Sequence, residues 1–201
     1  MSLLSLLKSE AINRGLVDPD LELDAGLVFS LVRDMPYQRA SDRRPETTIA
    51  EWRGTCSGKH YLLHELFEEL NLPSTILACT SITPVEPGEV SPSMQQLYEA
   101  ANRRFVDVHN YLLVSVPDGS QMVVDATWPL AAREFGMVTN DTFVLGQDQK
   151  LASKPLETWV VPPESDAQEF KDQLLRDQFT SAELQFREAV IEALSLQTKV
   201  E

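Results

Sequence analysis

Cysteine is scarce in this chain of 201 residues, which contains only Cys56 and Cys79. Two cysteines are too few for the disulfide framework that holds small secreted domains together. Long apolar runs are also missing, because no segment approaches the roughly 18 residues that a membrane-spanning helix needs. The first residues lack the basic stretch and the small-residue cleavage site of a signal peptide. We therefore expect a protein of the reducing cytoplasm that does not bind membranes.

Basic residues are few relative to acidic ones, with 17 Lys and Arg against 31 Asp and Glu and a net charge of −14. A surface of that sign repels phosphate backbones, so nucleic acid is not an expected partner. Glycine and proline, at 8 and 12 residues, are too rare for a collagen-like or low-complexity chain. A hydrophobic fraction of 43% in 201 residues predicts instead one compact domain with one core.

Apolar periodicity predicts helices in the first part of the chain. Apolar positions three and four residues apart indicate helices over 2–14 and 21–34, whereas the polar segment 37–52 is predicted to be a surface loop. The strongest helical signal follows Cys56 and ends at Asn71-Leu72-Pro73. Its apolar positions form one stripe: Leu62, Leu63, Leu66, Phe67 and Leu70.

Strand patterns dominate the middle of the chain. Residues 74–82 form a β-branched, apolar run, and runs at 105–116 and 121–126 are joined by Pro117-Asp118-Gly119-Ser120, which predicts a β-hairpin. Three further segments are predicted: a loop over 83–93, a short helix over 93–104 and a strand over 158–161.

The C-terminal segment is predicted to be helical. Ser165 with Gln168, and Thr180 with Glu183, have the spacing of a capping box. Two helices that separate near Thr180 therefore explain the segment better than one.

Cys56 is the first residue with a chemical signature, because it lies at the start of the most strongly predicted helix. The helix dipole and the free N–H groups of the first turn stabilise a thiolate, and they also favour a developing oxyanion. Gly54 and Gly58 flank the cysteine and permit tight backbone geometry there. A cysteine at this place needs a histidine partner to act as a nucleophile, since a buried structural thiol is the ordinary alternative.

His109 is the histidine on a predicted strand, and Asp125 follows the return strand of the predicted hairpin. Cross-strand proximity favours Asp125 over Asp107 as the carboxylate that orients His109. His60 and His64 lie on the helix of Cys56, but their spacing lacks the glutamate of a metalloprotease helix and no fourth ligand is evident. No metal and no cofactor are predicted.

The order of these motifs resembles the transglutaminase-like superfamily of cysteine enzymes, over about residues 32–129. That family carries a Gly-x-Cys at the start of a core helix, a histidine on a following strand and an Asp-x-Thr-like motif on the next. The matching segments here are Gly54-Thr55-Cys56, His109-Asn110-Tyr111, Asp125-Ala126-Thr127 and the helix exit Asn71-Leu72-Pro73. Tyr111 stands where many members have Trp, and Asn71 where Gly is usual.

The resemblance implies an α+β fold of the transglutaminase-like, papain-like type, in which the cysteine helix packs on an antiparallel sheet and extra helices lie at both termini. We expect a catalytic domain over residues 1–163, with its core at about 32–129, and a C-terminal helical segment over 164–201. The implied activity is acyl transfer on a peptide or protein amide through a thioester, with Cys56, His109 and Asp125 as the triad. A peptidase or amidase is favoured over an amine-transferring enzyme.

Several points stay open at this stage. The Cys56 backbone N–H is the expected oxyanion donor, and Gln38, Trp52 and Asn110 are candidates for a second donor or for cleft walls. An arylamine N-acetyltransferase-like enzyme uses the same residue types, and a non-catalytic binding module on the same fold is the alternative of a different class. The physiological substrate and the oligomeric state are not predicted.

Overall fold

The computed structural model describes residues 2–197, in which four helices precede the first strand and two helices follow the last. Within these residues the helices are α1 (Leu3–Asn13), α2 (Ala25–Asp34), α3 (Pro45–Glu51), α4 (Cys56–Glu69), α5 (Gln95–Ala100), α6 (Ala167–Gln178) and α7 (Ser181–Gln197). The strands are β1 (Ser74–Pro84), β2 (Arg104–Ser115), β3 (Gln121–Val124) and β4 (Thr158–Val160). The α+β class, with helices at both ends of the described chain, is confirmed.

The four strands form one antiparallel sheet in the order β3-β2-β1-β4. β1 and β2 pair along their whole length, from Ser74 opposite Val114 to Pro84 opposite Arg104. β3 pairs only with the last four residues of β2, Leu112 to Ser115. Its last residue, Val124, lies opposite Leu112, three residues before the level of His109. The chain that leaves β3 therefore passes the middle of β2, and Asp125 is the first residue of that passage.

Helix α4 lies between the sheet and the N-terminal helices, and both of these neighbours bury its apolar stripe. Leu62, Leu63, Leu66 and Phe67 are fully buried in one cluster with residues of α1, α2, β2 and β3. Full burial of one such side chain stabilises the fold by about 1.5–3 kcal/mol. The helix ends where Asn71 takes a positive φ of 57°.

Helices α6 and α7 pack on the central strands and are part of the folded body. Leu174 and Leu175 pack with Val108 of β2, and Phe186 packs against Tyr98 with ring centroids 5.8 Å apart. The predicted cap between Thr180 and Glu183 is present. The other predicted cap is wrong by one residue: Asp166, not Ser165, accepts a hydrogen bond from the first turn of α6.

Two segments differ from the prediction. Residues 45–51, within the predicted loop 37–52, form α3, because Pro45 at the first helical position is compatible with a helix start and Trp52 closes the helix with a φ of 51°. Residues 130–135 form a short 3-10 helix that the sequence reasoning did not identify. None of the helices between residues 2 and 197 combines the length and apolarity that crossing a membrane requires.

Candidate active site

Cys56 is the first residue of α4, and its side chain is 3% exposed. Its backbone N–H is among the first N–H groups of the helix, which have no acceptor within the helix. Glycine is favoured two residues before it, because a Cβ at Gly54 would make a tight contact of 3.2 Å with the backbone nitrogen of Lys59. The chain thus makes a tight entry into α4 and holds the thiol at the positive end of the helix.

The imidazole of His109 is paired with the carboxylate of Asp125, at 2.8 Å between Nε2 and Oδ2. Asp125 also accepts hydrogen bonds from the backbone N–H groups of Ala152 at 2.7 Å and Thr127 at 3.0 Å. Burial favours the neutral carboxyl, but His109 outweighs burial and holds the pKa of Asp125 well below its usual value. Burial also opposes the charged imidazole, yet Asp125 and Cys56 raise the pKa of His109 well above its usual value.

Asp107, the alternative partner for His109, pairs elsewhere. Its carboxylate accepts from Arg187 of α7, at 2.6 Å from a terminal guanidinium nitrogen and 2.8 Å from Nε. The structure therefore brings together the side chains of Cys56, His109 and Asp125, and it gives Asp107 a separate ion pair.

A lysine from the C-terminal helices lies against the thiol. Lys171 of α6 is 3% exposed, and its ammonium is 3.4 Å from Cys56 Sγ and 3.0 Å from Ser57 Oγ. Burial raises the pKa of Cys56, but the charge of Lys171 and the hydrogen bond and charge of His109 outweigh it and lower the pKa to about 6. The site thus favours a thiolate at neutral pH.

Asn110 does not present its amide to the site as the sequence reasoning suggested. Its Nδ2 donates to the carbonyl of Leu77 at 3.3 Å, and its Oδ1 accepts from the hydroxyl of Ser57 at 3.1 Å. Ser57 in turn accepts a hydrogen bond from Lys171, so Asn110 is linked to the surroundings of the thiol through Ser57.

The other two candidates, Trp52 and Gln38, are not among the described residues that line the cavity at Cys56. Trp52 packs in the main hydrophobic cluster, with the guanidinium of Arg14 5.2 Å from its ring centroid. It lies there because its left-handed backbone turns the chain at the end of α3. Gln38 lies between Tyr37 and Arg39, which line the cavity at Cys56, but is not itself among the described residues that line it.

Two buried residues of α4 hold the segment that follows β3. His60 Nε2 accepts the N–H of Ala126 at 2.9 Å, and its Nδ1 lies 2.7 Å from the Cys56 carbonyl, to which it therefore donates. Burial lowers the pKa of His60 to about 4, so this ring is neutral. Lys59 donates to the carbonyl of Thr127 at 3.0 Å. These bonds fix Asp125 relative to α4.

The histidines considered for zinc are engaged in protein hydrogen bonds. Both nitrogens of His60 are used, and His64 Nδ1 lies 2.8 Å from the hydroxyl of Ser74. Across residues 2–197 no group of three or more His, Cys, Asp or Glu side chains is arranged to hold a metal ion.

A cavity of about 210 Å³ opens beside Cys56, and half of the residues that line it belong to α6 and α7. Sequence reasoning missed Lys171 and Arg187, although a signal was present. Lys171 interrupts the apolar face formed by Phe170, Leu174 and Leu175, and Arg187 follows the buried Phe186. A basic residue on the apolar face of a helix indicates a buried anionic partner.

Comparison with protein-family models, curated proteins and solved structures finds no match for this chain. The site is therefore interpreted from its own geometry. A buried thiol of lowered pKa, an imidazole paired with a carboxylate, and unengaged N–H groups at a helix start are together suited to nucleophilic attack on a carbonyl carbon.

Proposed function

We propose that this protein is a cysteine-dependent acyl-transfer enzyme that acts on amide substrates, with hydrolysis as its main outcome. The observation that carries the proposal is the surroundings of Cys56: an ammonium 3.4 Å from Sγ, and an imidazole that is itself held by a carboxylate at 2.8 Å. The order of helix cysteine, strand histidine and following aspartate supports a transglutaminase-like core as part of the proposal.

The resting state in this proposal is a thiolate beside an imidazolium. With a pKa of about 6, Cys56 is mostly ionised at neutral pH. A thiolate is the reactive form of cysteine, and its intrinsic nucleophilicity needs no further base during attack. Asp125 accepts a hydrogen bond from the Nε2–H of His109. The Nδ1–H is then the ring proton that faces the thiol and can pass to the leaving group.

Acylation begins when Sγ of Cys56 attacks the carbonyl carbon and the C=O electron pair moves onto oxygen. The N–H of Cys56 at the helix start is suited to stabilise that oxyanion. The tetrahedral intermediate collapses as the C–N bond breaks, and the amine leaves with the proton of His109. The products of this half-reaction are a thioester on Cys56, a free amine and a neutral imidazole.

Deacylation reverses these roles. Neutral His109 removes a proton from water as the water oxygen attacks the thioester, and the C–S bond breaks to return the thiolate and a carboxylic acid. An amine in place of water yields a new amide instead. Asp125 stabilises the imidazolium in both half-reactions without itself becoming protonated.

The proposal is tested by trapping the acyl-enzyme with p-nitrophenyl acetate. We expect a burst of nitrophenolate that is stoichiometric with protein and the mass of one acetyl group on the peptide that contains Cys56. Cys56→Ala should abolish both signals and leave the melting temperature nearly unchanged, whereas the matched variant Cys79→Ala should keep them. Acetylation of Cys79, of lysines alone or of no residue contradicts the proposal, as does unfolding of Cys56→Ala.

The same trapped species separates hydrolysis from transfer. We expect the acetyl group to leave in buffer alone at a rate that glycine amide raises little. If it leaves only when the amine is added, the main outcome is amine transfer and the hydrolase assignment is wrong.

A further inference from the structure

The cavity beside Cys56 is basic in a protein that is strongly acidic overall. Four basic and three acidic side chains line it, in a chain whose net charge is −14. Two of the basic residues are neutralised in place, because Arg187 pairs with Asp107 at 2.6 Å and Arg39 pairs with Glu188 at 2.6 Å. Asp172, the third acidic residue, accepts a hydrogen bond from Gln168 at 2.6 Å. The other two basic residues therefore exceed the remaining carboxylate by one positive charge whenever Cys56 is not a thiolate.

Those two residues are Arg43 and Lys171. Neither has a carboxylate oxygen within 4.0 Å among residues 2–197. Lys171 is 3% exposed, and its ammonium donates to Cys56 Sγ and to Ser57 Oγ. The Cys56 thiolate is thus the anion in contact with Lys171. When Cys56 carries an acyl group, its sulfur is neutral and Lys171 has no anion beside it.

A buried ammonium without an anion is costly, so the acylated state favours a substrate that supplies one. The size of the cavity limits what can enter. A cavity of about 150 Å³ holds one benzene molecule, so the 210 Å³ beside Cys56 fits a group of about one amino-acid side chain. The entering group is therefore small as well as anionic.

The rest of the substrate has a place outside the cavity. Arg43 and Gln168 line both the cavity and a larger groove of about 720 Å³ at the start of α6. Gln168 donates from Nε2 to Asp172 at 2.6 Å, while its Oε1 is buried and accepts no hydrogen bond from the described chain. A substrate N–H is a suitable donor to that oxygen.

We propose that the Cys56 cavity binds a carboxylate on the acyl part of the amide substrate, with Arg43 and Lys171 as its partners. The substrate class is then an amide whose acyl group is small and acidic, such as an aspartyl or glutamyl residue or the half-amide of a dicarboxylic acid. This inference rests on the proposed function, since it assigns the substrate of that site.

The test compares two alkylating reagents of nearly equal size, iodoacetate and iodoacetamide, which differ in charge. Both react with the same thiolate, so the ratio of their rates cancels the ionised fraction of Cys56. We expect the ratio of the iodoacetate rate to the iodoacetamide rate to be higher at Cys56 than for glutathione in the same buffer. The iodoacetate rate at Cys56 should also saturate with reagent concentration. Glutarate should protect Cys56 from iodoacetamide at concentrations where glutaramide does not.

Arg43→Gln and Arg44→Gln provide matched variants one residue apart. Arg44 is exposed and pairs with Asp42 outside the cavity. Removal of one charge near the reagent should lower the ratio by about three- to tenfold in Arg43→Gln, and by less than about twofold in Arg44→Gln. Lys171→Met should lower the ratio at least as much as Arg43→Gln.

Other outcomes separate this inference from the proposed function. A wild-type ratio no higher than that of glutathione, or equal ratios in the two arginine variants, overturns the carboxylate site even if an acyl-enzyme forms. A raised ratio without any acyl-enzyme supports the carboxylate site and contradicts the proposed acyl-transfer activity. A Cys56 that reacts with neither reagent overturns both.

Discussion

The two cysteines of this protein are both buried, but their pKa values are shifted in opposite directions. Cys56 is 3% exposed and Cys79 is 0% exposed. Burial raises the pKa of Cys79 above its ordinary value, whereas the pKa of Cys56 falls to about 6. The difference comes from the neighbours: Cys79 lies in the middle of β1, and Cys56 lies at a helix start against Lys171. Burial alone therefore does not make a thiol inert.

Among variants that keep both cysteines, the largest expected effect comes from removal of the charge on Asp125. Asp125→Asn keeps the shape but no longer stabilises the imidazolium of His109, so the acylation rate should fall by about 10²–10⁴-fold. Burst kinetics with p-nitrophenyl acetate measure this. The melting temperature serves as a control, because Asp125 also accepts two backbone N–H groups.

Asp107→Asn is the matched variant on the same strand as His109. It breaks a buried ion pair with Arg187, so it should cost about 3–5 kcal/mol of unfolding free energy and change the acylation rate much less than Asp125→Asn. Chemical denaturation and the same burst assay check both parts. If Asp107→Asn is the inactive variant and Asp125→Asn is close to wild type, the assignment of the carboxylate is wrong.

A smaller effect is expected at Lys171, the residue that most distinguishes the two cysteines. Lys171→Met removes a positive charge 3.4 Å from Sγ and should raise the pKa of Cys56 by about one unit or more. Lys171→Arg keeps the charge, so the pKa of Cys56 in this variant should stay close to its wild-type value. A pKa of Cys56 that is unchanged in Lys171→Met means that His109 and the helix start alone set the acidity.

The smallest effect is expected at Cys79 itself. Cys79→Ala should change the alkylation rate of Cys56 by less than about twofold, because a buried neutral thiol contributes no charge to the site. Peptide-resolved mass spectrometry after brief labelling is the measurement. A large loss of Cys56 labelling in this variant would mean that the two thiols act as one site.

Much of this arrangement was predictable because it depends on local patterns. The apolar stripe of α4, the hairpin of β2 and β3 and the capping pair Thr180 and Glu183 all follow from spacing within one element or one turn. The position of Cys56 at a helix start belongs to the same class of local signal.

The parts that sequence reasoning missed depend on contacts between distant segments. Lys171 meets Cys56 across 115 residues, and Arg187 meets Asp107 across 80. Trp52 was a cleft candidate because its side chain suits a cleft and a core equally well, and only the turn after α3 assigns it to the core. Asn110 was misassigned because its strand position did not reveal that Leu77 and Ser57 engage its amide.

The most direct test of the account is the pH dependence of alkylation at each cysteine in the folded wild-type protein. Iodoacetamide labelling followed residue by residue should give an inflection near pH 6 for Cys56 and no inflection below pH 9.0 for Cys79. Equal labelling of the two cysteines, or an inflection of Cys56 near the free-thiol value of about 8.5, would contradict the claim that Cys56 is held as a reactive thiolate.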